Sequence, residues 1–350
     1  MNQRESTRSV AIGRIALGGQ NRVLVQSMCN IKTSQAEAVA AQINRCAALG
    51  ADLMRVSVLD FEDAKAIGTI KKRVSIPLVA DIHIDYRLAL AAIESGVDAI
   101  RINPGNIGSK DKIKLVVDAC KSRRLPIRVG VNSGSLDKTV YDGKGLIKAK
   151  YLVESCAKHV RILESMGFRD IVLSLKGSDV IETIEAYRLA AKAFPYPLHL
   201  GITEAGPKDI GLIRSAAGLS PLLLEGIGDT IRISLSDSPE EEVRAASRLL
   251  HDLGLKKDYP TFISCPTCGR TQVDLIPLAN RVREYLEDHH VNKTVAVMGC
   301  VVNGPGEARH ADLGAAGGKG QWVIFKKGEP LKTVADGEVY ETLIEEIKKL

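Results

Sequence analysis

Residues 77–104, PLVADIHIDYRLALAAIESGVDAIRINP, contain one complete strand–helix–strand unit. Two short β-branched runs, PLVADIH (77–83) and AIRINP (99–104), flank a segment whose apolar residues recur at helical spacing and which ends at Gly96. A glycine in that place supplies the left-handed residue that closes a helix before the next strand. The unit repeats in both directions. VLVQSMC (23–29), LMRVSV (53–58), PIRVGVN (126–132), DIVLSLKG (170–177), LHLGITE (198–204) and TIRISLS (230–236) complete a set of eight runs. Helical stretches such as AEAVAAQINRCAALG and SPEEEVRAASRLLHDLG lie between them, with further closing glycines at Gly50 and Gly167. Alternation of this kind predicts an α/β fold with a parallel sheet, and eight units predict closure into a (β/α)8 TIM-type barrel. No GxGxxG follows the first run, so an open dinucleotide-binding sheet has no support.

A barrel of about 250 residues leaves roughly a hundred over. After the last barrel helix, the polar, proline-containing KKDYPTFIS leads into a different texture: CPTCGR, short strands TVAVMG and QWVIFK, glycine-rich loops and a charged final helix, YETLIEEIKKL. The expected organisation is a barrel over 1–255 with a short N-terminal segment, a linker over 256–263, and a small α+β domain over 264–350.

Composition narrows the function. The excess of 48 Lys+Arg over 42 Asp+Glu is spread along the chain, which favours acidic small molecules over a nucleic-acid footprint. Aromatics at 4% leave few stacking platforms for single-stranded nucleic acid. The start, MNQRESTRSVAIGRIALGG, shows neither a secretory h-region nor a transit-peptide composition, and no segment approaches about 18 uninterrupted apolar residues, so a cytoplasmic protein without membrane contact is expected. Seven unevenly spaced cysteines argue against a disulfide framework and for metal or redox use of a subset. Cys29, Cys46, Cys120 and Cys156 lie in apolar strand- or helix-like surroundings and read as core residues.

The remaining three carry the most specific signal. Cys265 and Cys268 in CPTCGR can chelate from one tight turn, and Cys300 follows the apolar run TVAVMG at the start of a Gly/Pro-rich loop. Three thiolates leave one position for another ligand. Glu307, seven residues after Cys300, offers an exchangeable carboxylate that would leave one iron of a [4Fe–4S] cluster open to substrate, whereas His310 would complete a zinc site. In the barrel, Arg55, Arg101 and Arg128 lie within strand runs, Asn103, Asn132 and Ser133 at strand ends, and Lys176 at the end of the sixth run. Guanidinium forks with a lysine at the C-terminal face suit a diphosphate; the alternative is pairing with Asp52, Asp81 or Asp98. Glu204 closes LHLGITE at the mouth as a candidate proton donor, and His83 ends the third run as a ligand, a base or a structural residue.

The motifs VQSMCN, RINPGN, RVGVNSGSL, SLKGSD, GITEAG, IRISLSDSP, CPTCGR and GCVVNGPGEA, in this order over nearly the whole chain, resemble the bacterial 4-hydroxy-3-methylbut-2-enyl diphosphate synthases of the methylerythritol phosphate pathway, in their shorter two-domain form. The resemblance implies reductive ring opening and dehydroxylation of 2-C-methyl-D-erythritol 2,4-cyclodiphosphate to (E)-4-hydroxy-3-methylbut-2-enyl diphosphate, with two electrons from flavodoxin or ferredoxin. It further implies that Cys265, Cys268, Cys300 and Glu307 hold a [4Fe–4S] cluster and that Arg55, Arg101, Arg128, Asn132, Lys176 and Ser234 hold the diphosphate. Glu204 would act near the leaving hydroxyl, and Asn303 would approach the substrate beside the cluster. The loop DKTVYDGKG and the stretch KGSDV are candidate substrate covers.

Topology adds a homodimer. Barrel helices return to the face opposite the substrate mouth, and a linker of about ten residues spans at most roughly 33 Å, hardly the height of a barrel wrapped by helices about 20 Å long. The small domain is therefore expected to cap the partner's barrel, head to tail, with the active site shared between protomers. Two other readings follow from the same residues: a zinc-containing barrel enzyme acting on a phosphorylated or pterin-like substrate, and a nucleic-acid-binding C-terminal module.

Overall fold

The computed structural model describes residues 3–136, 139–141, 148–300 and 308–350. The chain divides into two compact units, Met1–Leu255 and Lys256–Leu350.

The first unit opens with a hairpin, β1 (Val10–Ile12) and β2 (Ile15–Leu17), which the sequence reading treats only as an N-terminal segment. Eight parallel strands follow: β3 (Leu24–Met28), β4 (Leu53–Val58), β5 (Leu78–Ile82), β6 (Ala99–Ile102), β7 (Ile127–Asn132), β8 (Ile171–Lys176), β9 (His199–Leu200) and β10 (Thr230–Ile231). The order β8-β7-β6-β5-β4-β3-β10-β9, with a parallel bridge from Leu173 to Leu198, closes the barrel. Gly50, Gly96 and Gly167 adopt left-handed φ values of 102°, 89° and 67° where helices end, as the sequence pattern predicts. Helix starts are capped too: Asp60, Asp179 and Ser238 each accept a backbone N–H of the first turn.

The last two strands are shorter than the sequence runs suggest. Beyond Leu200 the backbone turns away at Glu204, and beyond Arg232 the N–H of Leu235 bonds to the Glu242 carboxylate at 3.0 Å instead of joining the ladder. Both chain reversals lie at the C-terminal mouth.

The hairpin closes the other end. Val10, Ile12 and Leu17 pack with Leu24, Leu53, Val79, Ala99 and Val172 into an apolar layer at the strand starts. A larger shell, including Cys29, Cys46, Cys120 and Cys156, lies between strands and helices; burial pushes all four thiols up to about 12, which suits inert core residues.

The second unit is a five-stranded sheet, β11 (Thr261–Ser264), β12 (Thr294–Met298), β13 (Leu313–Gly318), β14 (Gln321–Lys326) and β15 (Glu329–Ala335), in that order. β11 to β13 run parallel and the rest antiparallel. Helices Leu275–Asp288 and Val339–Ile347 bury Val282, Leu286, Leu343 and Ile344 against it. LGAAGG, read from sequence as loop, forms the central strand: a side chain at Gly314 would collide with the Phe325 ring and one at Gly317 with Val273, so these glycines admit close packing. Among the described residues no helix is long and apolar enough to cross a membrane.

Asp229, at the foot of β10, ties the N-terminal segment down. It accepts from Leu198 N at 2.7 Å and Thr7 Oγ1 at 3.3 Å, and burial lifts its carboxyl from 3.8 to about 6. A raised carboxyl pKa favours folding fully below pH ~4, and the advantage is lost as pH rises through ~6, at most about 3 kcal/mol. Urea unfolding should therefore show barrel stability falling between pH 4 and 6 in the parent protein and a flatter profile in Asp229→Asn; parallel profiles would refute this.

Candidate active site

Inward-facing residues recur at every second strand position, so each strand reads from the apolar base towards the mouth. Leu53, Val79 and Ala99 belong to the base; two residues on stand Arg55, Asp81 and Arg101. Arg128 is in register with Arg101, and Lys176 with Asn132. Arg101, Arg128 and Lys176 are 8%, 6% and 6% exposed.

Two carboxylates serve these cations. Asp81 takes Arg101 Nη1 at 3.1 Å and Arg55 Nε at 3.5 Å. Burial alone would raise its pKa, but Arg55, Arg101 and Arg128 outweigh that and lower it. Glu242, 3% exposed, receives both Nε and Nη2 of Arg232 at 2.9 Å. Of the other carboxylates considered as partners, Asp52 pairs with Arg22 and Asp98 with Lys71.

Five basic side chains, Arg55, Arg101, Arg128, Lys176 and Arg232, thus share one space with two carboxylates, three more basic groups than acidic ones. Arg128 Nη1 donates to Gln26 Oε1 while Nη2 has no partner among the described residues, and Lys176 forms no ion pair among them. Burial and neighbouring cations push Arg55 down to about 10 and Arg128 and Lys176 well below their ordinary values. The same causes keep buried His199 neutral; its Nδ1 lies 2.5 Å from Thr230 Oγ1. A buried space so lined with basic groups suits an anion.

Glycine makes room for the cations. A Cβ at Gly130 would lie 2.7 Å from Arg101 Nη2, and one at Gly201 would lie 2.6 Å from Lys176 Nζ.

Above this layer a cleft of about 240 Å³ is lined by His83, Arg101, Asn103, Asn106, Asn132, Ser133, Gly134, Thr203 and Glu204. Glu204 is exposed and left-handed at φ 53°, a strained conformation for a non-glycine residue. Asn103, although buried in the cleft wall, spends its side-chain oxygen on Gly105 N at 3.1 Å as a helix cap. Ser234 is half-buried two residues beyond Arg232 and does not line the cleft.

Sequence reasoning missed Arg232, Glu242, His199, Met28, Gln26, Gly130 and Gly201. A signal existed for Arg232: TIRI repeats the Ile-Arg step of AIRI and PIRV at the same strand position. Glu242 gave none, being one acid of three in SPEEE.

In the second unit, β11 and β12 run parallel with Ser264 opposite Val297, so the segments beginning at Cys265 and Gly299 leave the sheet side by side. Gly299 N donates to Cys265 Sγ at 3.2 Å, and Gln272 N to Gly299 O at 3.2 Å, which ties the CPTCGR turn to the Cys300 segment. Cys300 is buried and Cys268 exposed. Among the described residues no three Cys, His, Asp or Glu side chains are gathered as a metal-binding group. The exposed His310 receives Arg309 Nε at 3.2 Å and does not join the thiols in such a group. Glu307 and Asn303 lie outside the described residues, as do most of the DKTVYDGKG loop. A thiol that accepts the N–H of the residue before a second cysteine fits iron–sulfur ligation, in which N–H donors to sulfur tune the potential.

The GcpE TIM-barrel domain matches residues 7–247 and the GcpE protein C-terminal domain matches residues 261–349. The chain belongs to the GcpE family. Its relatives include the 4-hydroxy-3-methylbut-2-en-1-yl diphosphate synthase (flavodoxin) of Clostridium perfringens (strain 13 / Type A), 53% identical over 350 residues with 100% of both chains covered. The enzyme of the same name from Bacillus subtilis (strain 168) is 52% identical over 349 residues, covering 100% of this chain and 92% of that one. Among solved structures, the dihydropteroate synthase of Stenotrophomonas maltophilia covers 71% of this chain and 97% of its own at TM-score 0.55 and 15% identity, a likeness of barrel fold alone. This GcpE chain therefore combines the family's barrel with its C-terminal domain.

The close fit around Gly130 gives a test. Gly130→Ala should displace Arg101 and weaken binding of inorganic diphosphate about tenfold, measured calorimetrically, with the far-ultraviolet dichroism unchanged; unaltered affinity would show that Arg101 does not face the anion.

Proposed function

We propose that this chain is an iron–sulfur oxidoreductase that converts 2-C-methyl-D-erythritol 2,4-cyclodiphosphate to (E)-4-hydroxy-3-methylbut-2-enyl diphosphate in the cytoplasm, with flavodoxin or ferredoxin as electron donor. One observation carries the reading: a buried layer with three more basic groups than acidic ones, in a chain that matches named synthases from end to end. The zinc alternative needs His310 at the thiols, and neither its position nor the relatives favour that.

Cys265, Cys268, Cys300 and Glu307 would hold a [4Fe–4S] cluster, which when bound supplies single electrons and Lewis acidity. The chain's own residues do the rest. The reaction takes two electrons and one proton, breaks the ring C–O bond to phosphate and the C–OH bond, and releases water. Ring opening frees a phosphate oxygen and adds about one negative charge to the diphosphate, so fixed guanidiniums stabilise the later state more than the earlier one. Arg128 Nη2 and Lys176 Nζ would take that oxygen, with Arg55, Arg101 and Asn132 orienting the remainder. Glu204, across the cleft, would protonate the departing hydroxyl oxygen, and Asn303 would approach the substrate from the cluster side.

The dimer has support from the barrel mouth. Leu59, Phe61, Ile84, Ile181 and Ile210, between 45% and 72% exposed, all sit in loops or first helical turns after barrel strands. Such an apolar rim calls for a cover. A second copy's cluster domain, with Ile276 59% exposed at the start of the helix that follows CPTCGR, is the occupant that would also exclude water from the chemistry.

Protein purified without oxygen should contain close to four irons and four sulfides per chain, absorb broadly near 400 nm, and turn over the cyclodiphosphate. Lys176→Met should lower kcat/KM by about two to three orders of magnitude. One zinc and no colour would end the reductase reading. For the shared site, inactive Lys176→Met and Cys268→Ala proteins, dissociated and re-formed together, should regain about a quarter of parental activity, since half the dimers then own one intact site of two. No recovery would place both halves of the site in one chain.

A further inference from the structure

Met28 ends β3 in register with Arg55, and its thioether sits among guanidiniums. Sδ lies 2.8 Å from Arg55 Nη2, 3.1 Å from Arg55 Nε and 3.6 Å from Arg232 Nη1. Arg232 Nε and Nη2 are committed to Glu242, and Arg55 Nε is shared between the sulfur and Asp81, which it meets at 3.5 Å. Arg55 Nη2 and Arg232 Nη1, the donors of these two groups that face no carboxylate in these contacts, converge on one sulfur. Thioether sulfur is a weak acceptor and a polarizable one. It settles two like charges on a common point without binding either strongly.

Other residues would behave differently there. An amide or carboxylate oxygen would form charge-assisted bonds with both guanidiniums, and an incoming phosphate would have to break them. A hydrocarbon would match the volume but leave the donors facing no dipole.

We propose that Met28 is a positioning residue of the anion site, whose sulfur keeps Arg55 and Arg232 aimed at one point while leaving their donors exchangeable for a phosphate oxygen. The proposal rests on the reading of the cation layer as a diphosphate site, not on the redox step.

The test uses the full-length protein, calorimetric titration with inorganic diphosphate at fixed ionic strength, steady-state kinetics and thermal midpoints. Met28→Gln should weaken diphosphate binding about tenfold or more and raise KM to match, with kcat within about threefold, because saturating substrate overcomes the competing amide. Met28→Leu, which removes the acceptor but adds no competing oxygen, should weaken binding by less, about threefold, and unchanged affinity would show that the sulfur does not aim the pair. Should the Gln protein not fold, Met28→Asn places an amide at the same sulfur position and carries the same expectation. A merely structural methionine predicts lower thermal midpoints with KM unchanged; that result, or equal losses in the Leu and amide variants, overturns the proposal. Failure of the unsubstituted protein to bind diphosphate would instead overturn the reading beneath it.

Discussion

The burial of like charge inside the barrel is the constraint on which the rest of this structure depends. Five basic side chains and two carboxylates occupy a largely buried space, and the pKa values of Arg55, Arg128 and Lys176 are all driven down by burial and by neighbouring cations. Such an arrangement opposes folding. It persists because the surrounding structure is independently secure: an apolar plug below, a continuous shell of aliphatic side chains between strands and helices, and capped helices outside. A bound anion then stabilises the folded protein by mass action, so ligand and fold are thermodynamically linked.

Much of this was legible in the sequence, and the remainder was hidden for identifiable reasons. Alternating runs and closing glycines disclosed the barrel, and the arginines in AIRINP and PIRVGVN lie on its axis because a strand repeats every second residue. The hairpin was hidden because three-residue strands such as VAI and IAL are too short for periodicity to register. LGAAGG was hidden because its strand character comes from Phe325 and Val273, whose approach only the folded chain reveals. Glu242 was hidden most completely. Its neighbours Glu240 and Glu241 pair with Arg45 and Lys208 at the periphery, and only the helix phase turns the third acid inward.

The same distinction separates the cysteine segment from the cation layer. Cysteine ligands can be found by spacing, since chelation fixes the separation of thiols along the chain. An anion site has no fixed spacing: its members come from strands β3 to β8, the end of β10 and a helix, and what joins them is a shared field. Glycines at 130 and 201 belong to that field as much as the cations do, because each marks a volume given over to Arg101 or Lys176. Sequence reading lists side chains that are present; here two of the informative positions are those where a side chain is absent.

The two buried carboxylates settle how strong that field becomes. Without Asp81 and Glu242 the buried space would hold five basic groups and neither of these acids, and affinity would be greatest for whichever species carries the most negative charge. In the proposed reaction that species is the product, whose opened diphosphate carries about one charge more than the ring. A site optimised only for anion affinity would hold its product. Asp81 divides its two oxygens between Arg101 and Arg55, and Glu242 fills its lone pairs with Arg232, Ser27 and Leu235, so both reduce the field while fixing the geometry of the donors that remain. The balance of charge in the barrel is thus set by two opposing demands: enough excess to favour the opened diphosphate as it forms, and too little to keep it.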